Sequence, residues 1–136
     1  MTVWSVSRRA HGLLGLAVLV AAASLSGDAL VRAQAPVTFT VTATKGDYTV
    51  KGSDKKEIRV NAGDLVRITF DAEDIPHSFT TVETSAHYRI DRRAEPGKPV
   101  TFEFRADRAG IVAIICKLTL DPECKDMKLD LVVVQK

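Results

Sequence analysis

From Val37 onward the chain alternates. Val37, Phe39, Val41 and Ala43 fall on one face of an extended segment and Thr38, Thr40, Thr42 and Thr44 on the other, the period of two that predicts a half-buried β-strand. Lys45-Gly46-Asp47 interrupts the run as a turn. Glu57 to Val60 predicts a short strand ending at Asn61-Ala62-Gly63-Asp64, after which Val66, Ile68 and Phe70 alternate with Arg67 and Thr69. Pro76 marks a break before an expected strand from His77 to Val82, and a further short strand is expected around Tyr88-Arg89-Ile90. Val100, Phe102 and Phe104 alternate with Thr101, Glu103 and Arg105, and Leu129, Leu131 and Val133 define one face of a final strand. Ile111 to Cys116 is apolar throughout, the pattern of a strand covered on both sides. No helical period is convincing between residues 34 and 136. Roughly seven or eight short strands with turn signals every 8–12 residues predict an all-β fold, a Greek-key antiparallel β-sandwich.

The first 33 residues follow a different pattern. Arg8 and Arg9 precede an apolar run from Leu13 to Leu25, and small residues lead to Ala33-Gln34-Ala35. A positive start, a short apolar stretch and a small-residue exit predict a secretory signal peptide over 1–33, with the domain occupying 34–136. The run falls short of the ~20 residues a helix needs to span a bilayer, which weighs against an uncleaved anchor. Membrane contact is therefore expected only in transit, through the signal peptide. Ser7-Arg8-Arg9 hints at the twin-arginine route, although Ala10-His11-Gly12 fits it poorly. The expected location of the mature chain is periplasmic or secreted.

This leader changes the charge picture. It carries three of the 19 basic and one of the 17 acidic residues, leaving 16 of each in the domain. A neutral domain offers no nucleic-acid face and no polybasic membrane patch. The acidic cluster Asp71, Glu73 and Asp74 reads as solvated loop charge rather than a calcium site. Ser78 beside His77 is no triad, because adjacent strand residues point to opposite faces. With no Gly-x-Ser-x-Gly elbow, phosphate-binding loop or paired-histidine zinc helix, an enzyme is the least supported class.

What remains is a small set of metal-binding side chains. The domain holds two histidines, His77 and His87, two cysteines, Cys116 and Cys124, and one methionine, Met127. His77 opens a strand, Cys116 ends one, and Cys124 and Met127 lie in the loop before the last. Strand ends in a sandwich can meet at one pole, and imidazole, thiolate and thioether together select copper over magnesium or calcium. Each residue also has a plainer role open to it. The cysteines can pair as a disulfide in an oxidising compartment, Met127 can be core filler, and His77 can be a surface residue. His87, in a different segment, is either a substitute ligand or an exposed loop residue.

The segment from Asn61 through Pro76-His77-Ser78-Phe79, the strand after Gly110 and the loop from Cys116 to Met127 together resemble a cupredoxin, over nearly all of residues 37–136. The resemblance implies a copper site with His77 as a ligand, Cys116 at the family's cysteine and Met127 at its weak axial methionine. One departure matters. A blue-copper loop supplies a second histidine between cysteine and methionine, and no histidine follows His87 here. The spacing is closer to the dinuclear copper domain of cytochrome oxidase subunit II, where a second cysteine, a histidine and a methionine follow the first cysteine by four, eight and eleven residues. Counting from Cys116 reaches Leu120, Cys124 and Met127. A bridging cysteine is thus replaced by Leu120 and a histidine by Cys124, which argues against two coppers. The expected site is mononuclear, with His77, Cys116, Cys124 and Met127. The expected function is one-electron transfer to a redox partner protein of unknown identity. The alternatives are copper storage or delivery, favoured by the extra thiol, and a metal-free sandwich stapled by Cys116–Cys124 that binds a protein.

Overall fold

The computed structural model describes residues 33–82, 87–118 and 121–136, and among them the alternating segments form nine strands. These are β1 (Val37–Thr44), β2 (Asp47–Val50), β3 (Glu57–Asn61), β4 (Asp64–Ala72), β5 (His77–Thr81), β6 (Asp91–Ala94), β7 (Val100–Ala106), β8 (Gly110–Ile115) and β9 (Lys128–Val134). The only helical element among the described residues is a 3₁₀ turn, Pro122–Cys124. All but the last residue of the expected leader lies outside the described residues. No helix among the described residues is long and apolar enough to cross a membrane.

The strands form two sheets, ordered β2-β1-β4-β7 and β3-β9-β8-β5-β6. Their apolar faces meet in one core, which includes Val41, Val66, Ile68, Phe70, Phe79, Ile114, Leu129 and Leu131. Tyr48, Phe70, Phe79 and Phe102 run through it as a chain of tilted and edge-on rings 5.3–6.3 Å apart, an arrangement favoured by the ring quadrupoles.

The β-sandwich is as expected, with local differences. Two ladders run parallel, β1 with β4 and β3 with β9, where a purely antiparallel arrangement was expected. Between β1 and β4 the chain passes through β2 and then β3 in the other sheet, which supplies the long crossover that parallel neighbours need. The strand expected at Tyr88-Arg89-Ile90 begins three residues later, as β6. Tyr88 instead turns its hydroxyl onto the Arg108 backbone, and Ile90 meets Thr81. The Ile111 to Cys116 segment is covered on one side only. Val112 and Ile114 are buried, whereas Ile111 is 71% exposed, because it faces outward from the sandwich.

Candidate metal centre

Sheet register brings the ligand candidates to one pole. Strand β5 pairs antiparallel with β8, Thr80 opposite Ile115, so the start of β5 lies beside the end of β8. Ile115 also pairs with Lys128, and Cys116 and Met127 therefore leave their strands side by side. Cys124 is brought in by the 3₁₀ turn. Asp121 caps that turn by accepting from the Glu123 N–H, and Pro122 occupies its first position, where a missing donor costs nothing.

His77 is fully buried, and its two ring nitrogens have separate partners. Nδ1 lies 3.4 Å from the Cys124 Sγ and 3.9 Å from the Cys116 Sγ, and the three potential donor atoms all lie within 4.8 Å of one another. Nε2 is 2.8 Å from Asp74 Oδ1. Asp74 is held in turn by the backbone N–H groups of Lys45, 2.6 Å from Oδ2, and Ile75, 2.8 Å from Oδ1. With Nε2 donating to the carboxylate, Nδ1 is left as an acceptor facing the sulfurs. Asp74 is exposed, as expected of a loop charge, but its carboxylate also orients the histidine. Burial pushes that carboxyl up, but the bonds from Lys45, His77 and Ile75 outweigh it and hold Asp74 below the usual carboxylate range.

The two cysteines are free thiols, so the disulfide staple is not present. Their environments differ. Burial raises the Cys116 thiol, but hydrogen bonds from Cys124 and then from the Ser78 and Leu118 N–H groups outweigh it, leaving its pKa below the ordinary thiol value. Cys124 is pushed up to about 12 by burial and by the neighbouring Cys116. The two neighbouring thiols are therefore shifted in opposite directions, Cys116 down and Cys124 up. Tyr48 lies near both sulfurs. Burial, followed by the two sulfurs, keeps its phenol protonated, and its hydroxyl donates to the Ser78 carbonyl.

Met127 is buried at 2% exposure, and its N–H donates to the Cys124 carbonyl at 3.4 Å. His87 lies elsewhere. Its Nε2 pairs with Asp107, in the turn before β8, whereas Cys116 follows the end of β8. Six strand residues separate the two places by about 20 Å, so His87 does not join the cluster.

The donor spacing suits one metal ion. A tetrahedral ion with bonds near 2.0 Å to nitrogen and 2.3 Å to sulfur, as zinc forms, keeps its donors about 3.5–3.8 Å apart. The two nitrogen–sulfur distances, 3.4 and 3.9 Å, bracket that range, and the soft donor set is the one copper prefers.

Asp74, Tyr48 and the Lys45-Gly46 turn were not anticipated at the site. The sequence signal for Asp74 is its position three residues before a strand-opening histidine. Tyr48 and the turn have no such signal, since they reach the site only through β1–β2 pairing.

No family model matches the chain, and no curated protein matches it. Solved structures do. The chain is similar to a heme-copper terminal oxidase dimer, with TM-score 0.62 and 16% identity over 76% of this chain and 67% of that one. It is also similar to the periplasmic domain of subunit II of cytochrome oxidase from Bradyrhizobium japonicum, with TM-score 0.58 and 16% identity over 76% and 87%. Auracyanin A, a "blue" copper protein from Chloroflexus aurantiacus, aligns at TM-score 0.54 and 22% identity over 73% and 99%. Two packed β-sheets in this order, with a histidine and two cysteines drawn together at one pole as in a copper site, make the fold of this chain a cupredoxin-like β-sandwich.

Proposed function

We propose that this chain is an exported copper-binding protein that transfers single electrons through one copper ion held by His77, Cys116, Cys124 and Met127. The observation that carries the reading is the convergence of the His77 Nδ1 with two free cysteine sulfurs in a buried pole. Copper bound there supplies a one-electron couple between its cuprous and cupric states. The protein contributes two cysteine sulfurs, of which Cys116 is held below the ordinary thiol pKa, an imidazole oriented by Asp74, and a buried setting for all three side chains. Ligands carried on strand ends change position little, which suits a carrier whose metal alternates between charges. The partner is a redox protein. Of the similar structures, subunit II of cytochrome c oxidase has been captured in a mixed disulfide with a thioredoxin-like protein.

The second thiol favours one further reading. Cys124 stands where a blue-copper loop carries histidine, and a second sulfur shifts preference toward the cuprous ion. Copper storage or delivery is therefore the alternative to electron transfer. Metal analysis, free-thiol titration and electron paramagnetic resonance on the purified mature protein separate the two. Electron transfer requires one copper per chain, a stable cupric signal and a thiolate-to-copper absorption. Storage requires one cuprous ion per chain, and loss of the thiols when cupric ion is offered. No copper bound, with both thiols free, would remove both readings.

A further inference from the structure

We infer that the Lys45-Gly46 turn between β1 and β2 is the positioning element of the metal centre, a single turn that sets the His77 arm and the Cys124 arm relative to each other. The inference rests on the reading of His77 and Cys124 as ligands.

On one side, the Lys45 N–H donates to Asp74 Oδ2 at 2.6 Å, and Asp74 Oδ1 meets His77 Nε2 at 2.8 Å. The preceding residues strengthen that link, since the Glu73 N–H donates to the Ala43 carbonyl at 3.0 Å. On the other side, Gly46 lies against the backbone of the 3₁₀ turn. A Cβ at Gly46 would sit 2.8 Å from the Glu123 carbonyl oxygen and 3.7–3.8 Å from the Glu123 carbonyl carbon and Cα. The obstacle is backbone rather than the end of a flexible side chain, and Glu123 directly precedes Cys124. Turn and loop are therefore in contact because position 46 has no side chain. Lys45 and Gly46 both have positive φ, 47° and 78°, the conformation of a tight two-residue hairpin turn. The turn thus touches both arms of a cluster whose nitrogen and sulfur are 3.4 Å apart, and none of its side-chain atoms is needed as a ligand.

The test compares Gly46→Ala with Gly52→Ala in the full chain. Gly52 has nearly the same φ, 81°, but nothing within 4 Å of an added Cβ, so it carries the same backbone penalty without the contact. The first measurement is the alkylation rate of Cys124 by iodoacetamide in reduced, metal-free protein, located by peptide mass spectrometry. Gly46→Ala is expected to raise that rate about tenfold over Gly52→Ala, because it opens the loop locally while global folding penalties match. Equal rates in the two folded variants overturn the inference.

Should Gly46→Ala not fold, Lys45→Asn against Lys45→Gln decides. Both remove the ammonium, but asparagine tolerates positive φ and stiffens the turn. Cys124 should then react about twofold more slowly in the asparagine variant, from the smaller population of open loop; no difference, or the reverse order, overturns the inference. The second measurement is cuprous affinity by chelator competition, expected to fall in Gly46→Ala alone. Altered alkylation with no copper bound by any variant keeps the positioning role and removes the copper reading. Unaltered alkylation with full copper binding does the opposite.

Discussion

Each pole of the sandwich holds a histidine beside an aspartate, and only one of the two pairs belongs to a candidate site. At one pole Asp74 holds a His77 side chain with no solvent exposure, and the other ring nitrogen faces two sulfurs. At the other, Asp107 holds a His87 side chain that is 32% exposed and packs edge-on against Tyr88. Both carboxyls are held below the ordinary value, with His77 contributing at Asp74 and His87 at Asp107. The imidazole–carboxylate pair by itself is therefore not diagnostic. What differs is enclosure and the presence of further donors, which β8 and the 3₁₀ turn supply at the first pole and nothing among the described residues supplies at the second.

Removing the Cys116 sulfur separates the two poles most strongly. Cys116→Ser is expected to reduce copper from one per chain to none and to abolish any thiolate-to-copper absorption, because the thiolate is the dominant soft donor. Retention of copper with an unchanged spectrum would reassign the site. Next, His77→Ala should weaken copper binding by about 100-fold or more in chelator competition. His87→Ala should leave it unaltered and shift stability by no more than about 0.5 kcal/mol in urea melts. Comparable copper losses in the two variants would erase the distinction between the poles.

The carboxylates give a finer contrast. Asp74→Asn should cost roughly 10–100-fold in copper affinity, the usual effect of losing the group that orients a ligating histidine, while Asp107→Asn should cost none. The same pairs set an acid limit. Because both carboxyls sit below their ordinary 3.8 in the fold, the folded chain binds fewer protons than the unfolded one. Their contribution is present above about pH 4, the ordinary value, and is lost progressively as pH falls below it towards the depressed folded values. Thermal melts of the metal-free protein from pH 6 to pH 2 should decline over that window, and less steeply in Asp74→Asn. The smallest expected effect is that of Met127→Leu, a volume-conserving change costing less than about 1.5 kcal/mol. By voltammetry it should shift the copper potential while occupancy stays near one, because an axial thioether is a long, weak bond.

The grouping of His77, Cys116 and Cys124 was legible in the chain for a simple reason. Period-two alternation marks which residues enter a sandwich core, and a strand-opening His77, a strand-ending Cys116 and a loop Cys124 needed only a common pole to become neighbours. Alternation says nothing about which strands pair. It therefore missed the parallel β1–β4 and β3–β9 ladders, and it read β8 as covered on both sides where Ile111 faces outward. Asp74 looked like loop charge because carboxylate and imidazole three residues apart meet only if the backbone between them folds back at Ile75-Pro76.

The chain's own order of residues determined an all-β domain and a soft, histidine-poor donor set, since both depend on residue type and short spacing. Tertiary structure alone decided that the two cysteines stand as free thiols around one imidazole nitrogen, and that His87 is excluded. It also decided that Tyr48, Asp74 and the Lys45-Gly46 turn lie at the site. These depend on sheet register and on backbone contacts between segments 29 to 77 residues apart, such as Lys45 with Asp74 and Gly46 with Glu123, and no local pattern encodes contacts of that separation.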